Sequence, residues 1–381
     1  MPLSTQAVVV SSPFGSYHIS QILLKEETLK PNEVLVKVIA SGICHSDIVC
    51  AEQKIPWRFP TVLGHEGAGI VERVGSKVTR VKQGDKVVTT WSSCRTCRKC
   101  QQSRPALCQH WFRLNLTGER FDGGTMYEHD GKECYASLLG QGSFGRHMMV
   151  HESSCIPVPP SLSDAELAQL APYGCGLMTG AGTILNYFKP RLGDTLAIWG
   201  MGAVGMAGLM VAKLAPYSKI IALDVVDDRL KLASELGATH VINSRTCDAV
   251  QAIRDLTGGN GVDWSMEATG IPSVVKQAYE ALDKGGVLGS VGIPPAGSEL
   301  KIDIWNHIND SKTFLGCVEG DCVPETFIPF LIELAQQGKF PAEKLVKTYN
   351  FSEIERAIED MKQRRTIKPS WFGIDREREV E

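Results

Sequence analysis

No uninterrupted apolar run in this 381-residue sequence reaches the roughly 20 residues that span a bilayer. Met1 to Val10 carries no positively charged segment followed by a long apolar stretch. A cytoplasmic protein with no membrane partner is therefore expected. Basic residues form no tract and the formal net charge is only -3, so there is no electrostatic footprint for nucleic acid or an anionic lipid surface. A small-molecule substrate is the better default. Internal repeats and low-complexity linkers are also missing. With 43% hydrophobic and 22% charged residues, the chain suits a globular protein of two domains or one large one.

Cysteine, in contrast, is plentiful, and it is unevenly placed. Cys94, Cys97, Cys100 and Cys108 lie on one short stretch, two C-x-x-C steps sharing a middle cysteine and a fourth following. Thiolates so close repel one another unless a divalent ion gathers them, and tetrahedral zinc with four sulfurs is the usual solution. Adjacent disulfides would need difficult geometry and an oxidising compartment. Chance burial does not suit a stretch that also holds Arg95, Arg98, Lys99, Gln101 and Gln102. With all four positions filled by protein, this zinc would be structural, ordering an exposed lobe over 94–108. Cys50, Cys134, Cys155, Cys247, Cys317 and Cys322 are scattered without pairing spacing and read as reduced thiols.

Up to about residue 156 the pattern is short strands, Gln6 to Val10, Val34 to Ala40, Gly67 to Val74 and Asp85 to Thr90, punctuated by Gly, Pro and Asn turns. This half predicts an irregular β-barrel. Leu114 to Tyr135, rich in glycine and mixed charge, reads as a surface excursion. From about Gly174 apolar strands alternate with helices. Six strand candidates, Thr195 to Trp199, Lys219 to Leu223, His240 to Ile242, Val262 to Met266, Val287 to Val291 and Phe314 to Val318, with helical crossovers between most of them, predict a doubly wound parallel sheet. The tail from about Asp321 reads as a long helix, a strand and a shorter helix returning to the first domain.

Gly200, Met201, Gly202, Ala203, Val204 and Gly205 follow the first of those strands and open a helix, the context that gives G-x-G-x-x-G its meaning. Gly200 permits the tight turn, Gly202 lets backbone approach a pyrophosphate, and Gly205 lets helix and strand pack closely. The helix N-terminus offers its unpaired N–H groups to the phosphates. Asp224 ends the second strand, where it would accept from the adenosine ribose hydroxyls and repel a 2'-phosphate; this argues NAD over NADP. Arg229 could flank the ribose.

A second set of soft ligands lies outside the cysteine lobe: Cys44, His65 and Cys175. Two thiolates and one imidazole leave a fourth zinc position open, as a catalytic site requires. On these residues, and on Gly64, His65, Glu66, Gly69, Gly75 and Val78, the chain resembles the zinc-dependent alcohol dehydrogenases of the medium-chain dehydrogenase/reductase superfamily. The resemblance spans nearly the whole chain. It is strongest to the aryl (benzyl) alcohol branch, through Gly140 to Phe144, Val318 to Asp321 and Ile367 to Pro369.

What the resemblance implies can be written residue by residue. Cys44, His65 and Cys175 hold catalytic zinc, with Glu66 an occasional ligand and Asp47 orienting His65. Ser46 begins the proton relay and His45 reaches the cofactor pyrophosphate. Where liver-type members carry a relay histidine, this chain has Val49, so the outward proton path runs through water or His45. The implied fold is a GroES-like catalytic domain over 1–176, a Rossmann NAD-binding domain over 177–320 and a return to the catalytic domain over 321–381. Two zinc ions per chain, NAD, and a homodimer or homotetramer are implied as well. Trp57, Trp91 and Ile293 are candidates for the pocket wall, Ile293 on its cofactor side. They favour a primary aryl or allylic alcohol and its aldehyde. A carbonyl reductase acting on a larger natural product is the alternative for the same site. A scaffold protein without chemistry fits less well, because the ligand set is intact.

Overall fold

The computed structural model of the chain describes residues 2–373. These fall into two units. The first takes the chain up to Cys175, Pro324–Pro329 and the residues from Glu343 on; the second takes Gly176–Val323 and Phe330–Ala342. The tail beyond residue 321 is thus shared, with Phe330–Ala342 grouping with the second unit.

In the first unit ten strands precede the second: β1 (Leu3–Val10), β2 (His18–Leu24), β3 (Glu33–Gly42), β4 (Thr61–Val62), β5 (Glu66–Val74), β6 (Lys86–Thr89), β7 (Tyr127–His129), β8 (Lys132–Cys134), β9 (His147–His151) and β10 (Cys155–Pro157). One sheet has the order β4-β1-β2-β7-β8. Its last two strands correct the reading of Leu114 to Tyr135 as a surface excursion. Leu114, Met126, Tyr127 and Cys134 are buried, and the β7–β8 hairpin extends the sheet from β2. Arg120, also buried, forks onto both carboxylate oxygens of Glu33. Gly118, Gly123 and Gly124 are turn residues ahead of the hairpin, and Arg120 among them is tied to Glu33 of β3 in a buried ion pair.

The second unit carries β11 (Thr195–Trp199), β12 (Lys219–Asp224), β13 (His240–Asn243), β14 (Val262–Glu267), β15 (Leu282–Ser290) and β16 (Thr313–Gly316). All neighbours pair in parallel, in the order β13-β12-β11-β14-β15-β16. Helices on the faces explain why β11 reads as a continuous apolar run, with Leu196, Ala197, Ile198 and Trp199 all buried. Ala197, Trp199, Ile221 and Leu223 of the sheet pack with Ile253, Val275 and Ala278 of two helices in one core. Strand order reverses between β11 and β14, the switch point where such sheets bind ligands.

Back in the first unit, β17 (Val346–Tyr349) and β18 (Lys368–Phe372) complete a seven-stranded sheet of order β10-β6-β5-β3-β18-β17, with β9 on β3. Strand β18 lies antiparallel to the end of β3, Ser370 opposite Gly42. This brings β18 beside the start of the segment that carries Cys44. Among the described residues, no helix is long and apolar enough to cross a membrane.

Candidate metal and cofactor sites

Local structure places each soft ligand at the end of an element. Cys44 caps the helix His45–Ala51, which leaves the sheet at the end of β3. His65 immediately precedes β5, and Glu66 is its first residue. Cys175 follows the 3-10 turn Ala171–Gly174. Donor atoms of Cys44, His65, Glu66 and Cys175 all lie within 4.8 Å of one another, three of the four residues buried.

Asp47 organises this cluster. One carboxylate oxygen accepts the Gly64 N–H at 2.9 Å and faces His65 Nδ1 at 3.0 Å; the other accepts the Cys44 N–H at 3.0 Å. With Nδ1 committed to Asp47, the second ring nitrogen is the one free to bind. His65 Nε2 is indeed buried with no hydrogen-bond partner, an arrangement that costs free energy unless something occupies it. Cys175 hydrogen-bonds to the Cys44 sulfur and, against the effect of burial, holds the Cys44 thiol well below its ordinary pKa, helped by Lys368 and His65. Burial opposes charge on His65, but the Asp47 and Cys44 anions raise its pKa well above the ordinary value. A thiolate beside an imidazolium is what this donor set becomes with a proton in the cation's place. A divalent ion on Nε2 displaces that proton. Two sulfurs and one imidazole, whose buried Nε2 is otherwise orphaned, fit zinc.

Lys368 is the functional residue that the sequence reading passed over. Its ammonium is buried and donates to both Glu66 oxygens, at 2.8 and 2.9 Å, and to the Ile43 carbonyl at 3.3 Å. Burial works against the charge, but Glu66 and the Cys44 thiolate hold the Lys368 pKa above its usual value. Burial pushes the Glu66 carboxyl up, with Lys368 pulling the other way. The signal was present in the sequence: a lysine flanked by Ile367, Pro369, Trp371 and Phe372 on a strand needs a buried counter-charge.

Ser46 Oγ lies 3.8 Å from the Cys44 sulfur. His45 on the same turn is exposed, and Val49 is buried. Trp57 is largely buried and donates its indole N–H to Thr61 Oγ1 at 2.9 Å. Trp91 does not take the pocket-wall place expected of it: the ring is only 1% exposed and packs on Trp111, centroids 5.2 Å apart. Its large apolar surface is spent on the core beside the cysteine lobe.

In that lobe the four sulfurs of Cys94, Cys97, Cys100 and Cys108 lie within 4.8 Å of one another, Cys97 to Cys100 at 3.6 Å and Cys94 to Cys100 at 3.9 Å. A tetrahedron with Zn–S bonds near 2.3 Å puts sulfurs roughly 3.8 Å apart. Backbone N–H groups of Cys97, Gln109 and His110 point at sulfurs from 3.3 to 3.4 Å. N–H groups from Cys100 and Gln109 draw the Cys97 thiol down to about 6. Burial raises Cys100 and Cys108. Without a cation the four sulfurs cannot all be charged; with one they can.

In the second unit Gly200 has φ +95 and Gly205 packs so closely that a Cβ there would lie 1.9 Å from the Gly200 carbonyl oxygen. Gly202 caps the helix Ala203–Ala212, and a Cβ on it would meet nothing within 4 Å, so the helix start is open to a ligand. Asp224 accepts the Met201 N–H at 2.7 Å through one oxygen and the Val225 and Val226 N–H groups through the other. It is thereby fixed at the end of β12 beside the glycine turn. Ile293 follows β15 and is half exposed; its backbone packs on Gly270, whose neighbour Thr269 packs on Gly200. Arg229 sits half-buried in the first turn of the helix Asp227–Leu236.

Residues 30–160 match the alcohol dehydrogenase GroES-like domain family, and 203–337 the zinc-binding dehydrogenase family. A geraniol dehydrogenase of Castellaniella defragrans is 34% identical over 369 residues, 96% of this chain and 97% of that protein. The crystal structure of a benzyl alcohol dehydrogenase from Acinetobacter calcoaceticus superposes with a TM-score of 0.92 at 38% identity, covering 98% of this chain and all of the other. That of an alcohol dehydrogenase zinc-binding domain protein from Burkholderia ambifaria gives 0.92 at 40% identity, with 98% and 99% covered. Likeness over this much of the chain, with both halves matched in order, means that the protein belongs to the zinc-dependent alcohol dehydrogenases of the medium-chain dehydrogenase/reductase superfamily, enzymes that work with zinc and a nicotinamide cofactor.

Proposed function

We propose that this enzyme interconverts a primary allylic or benzylic alcohol and its aldehyde, with NAD(H) as the hydride carrier. The observation that carries the substrate class is chemical: geraniol and benzyl alcohol, named for two of its relatives, both place the carbinol carbon next to an unsaturated carbon. In this reading Cys44, His65 and Cys175 hold a catalytic zinc, Glu66 is an occasional ligand, and the four-cysteine lobe holds a structural one. Zinc bound at the first site supplies a Lewis acid that makes the alcohol more acidic. Asp47 keeps His65 in the tautomer that presents Nε2. The Ser46 hydroxyl, beside Cys44, accepts the alcohol proton and passes it on. Val49 cannot take part, so exposed His45 or water delivers that proton to solvent.

The Gly200–Gly205 turn and the open helix start receive the pyrophosphate, with His45, Arg229 and Ile293 as further cofactor contacts. A nicotinamide bound there would supply the hydride acceptor. Asp224 supports NAD over NADP because its fixed carboxylate opposes a 2'-phosphate. Twelve free cysteines support a cytoplasmic location. A homodimer or homotetramer is supported by the helix Ile304–Asn309, which buries none of its residues although three are apolar.

A panel of alcohols and aldehydes followed by NADH absorbance tests the reading. Benzylic and allylic primary alcohols with NAD should give the highest kcat/KM. Preference for saturated alcohols, or for NADP, would contradict it.

A further inference from the structure

His65 and Cys175 come from distant parts of the chain, yet their donor atoms meet to within 4.8 Å. The carbonyl beside each ligand is held by a fully buried polar side chain. Gln141 Nε2 donates to the His65 carbonyl at 2.7 Å, and Thr90 Oγ1 donates to the Gly174 carbonyl at 2.6 Å. A bond to the carbonyl of one residue fixes the peptide plane that joins it to the next. The first bond therefore orients the His65–Glu66 plane and the second the Gly174–Cys175 plane.

The two clamps are parts of one structure. Thr89 ends β6 and Thr90 follows it. Gln141 Oε1 accepts the Thr89 hydroxyl at 2.5 Å and the Gly67 N–H at 3.2 Å. Strand β6 pairs with β5, which His65 precedes. The Ala171–Gly174 turn rests on the end of the same strand: a Cβ at Gly174 would lie 2.0 Å from the Thr89 carbonyl oxygen. All three side chains are 0% exposed. Burying an amide and two hydroxyls is costly unless their bonds are made, and an apolar residue would fill the same space more cheaply. What apolar residues cannot do is aim two carbonyls.

We propose that Thr89, Thr90 and Gln141 are positioning residues of the metal centre, a buried hub that fixes the peptide planes carrying His65 and Cys175. The inference rests on the ligand assignment above. Its test is competition for the catalytic zinc by a chelator, together with the absorption bands of cobalt(II) loaded at that site. Thr90→Val and Gln141→Met should hold the metal about 10- to 100-fold more weakly, the usual effect of losing a group that orients a ligand. The cobalt bands should shift, the zinc of the four-cysteine lobe should remain, and Thr90→Ser, which keeps the hydroxyl, should recover the wild-type values. Unchanged affinity and bands in both variants would overturn the proposal. So would Thr90→Ser behaving no better than Thr90→Val, or loss of both zinc ions together with the fold, which would mark a general packing role. His65→Gln is the control for the ligand set. If that variant keeps two zinc ions, the assignment of His65 is at fault rather than the hub.

Discussion

Asp224 illustrates how much one side chain decides. Three backbone N–H groups fix its carboxylate at the end of β12, so it cannot swing away from a phosphate placed on the ribose. Placing like charges together costs several kcal/mol, equivalent to at least about tenfold in affinity. Asp224→Gly should therefore weaken NAD binding and move the NAD/NADP ratio of kcat/KM toward NADP by at least about tenfold; an unmoved ratio would remove the ribose role. His151 sets an acid limit. Burial lowers its pKa from the ordinary histidine value of 6.5 to about 4, with Phe121 stacked on the ring at 3.8 Å. A histidine that stays neutral in the fold but protonates when unfolded contributes its full share of stability above about 6.5. That share is lost as the pH falls from about 6.5 to 4, up to roughly 3 kcal/mol. Urea midpoints at pH 7 and 5 should fall less in His151→Phe than in the wild type; equal falls would place the acid sensitivity elsewhere.

At the scale of elements, β18 does what its position near the end of the chain does not suggest. It delivers Lys368 to Glu66 beside the metal ligands. Lys368→Met removes the ammonium that faces the buried Glu66 carboxylate and should cost about 3–5 kcal/mol in urea unfolding, whereas Lys368→Met with Glu66→Gln should recover most of that loss. If the double variant is no better than the single one, the cost lies in packing. Elements also show what a sequence makes legible. The six parallel strands could be read because apolar runs covered on both faces stand out between helices, and Gly200 and Asp224 then fall at strand ends. Strand β15 begins at Leu282, earlier than expected, because Leu282 pairs with Val262 before a register shift over Asp283 to Gly286, after which pairing resumes at Val287. The β7–β8 hairpin was hidden by glycines, and Trp91 by its position next to a loop. The four-cysteine set stands out by residue type and spacing, whereas Cys44, His65 and Cys175 lie far apart in the sequence and are singled out as candidate ligands through the family resemblance. Asp47 was expected to orient His65, but its bonds to the Cys44 and Gly64 N–H groups, and the Lys368–Glu66 pair, depend on contacts across the sheet that no local pattern records.

At the scale of the whole molecule, an exposed apolar surface among the described residues is where the proposed oligomer can be tested. Ile304, Trp305 and Ile308 are 71%, 76% and 67% exposed on a single short helix, and Phe314 is exposed on β16, the open edge of the parallel sheet. An unguarded edge strand beside apolar side chains invites pairing with a second copy. Trp305→Glu with Ile308→Lys should lower the solution mass measured by light scattering toward that of one chain; an unchanged oligomer would place the interface elsewhere. The proposed function divides the work between two metal sites, one closed by four cysteines and one built on Cys44, His65 and Cys175. Metal content measured on the wild type and on Cys44→Ser, alongside turnover and NADH binding, tests it most directly. The account predicts about two zinc ions per chain in the wild type. It predicts about one in the variant, with the fold and NADH binding kept and turnover abolished. Two zinc ions and undiminished turnover in Cys44→Ser would contradict it.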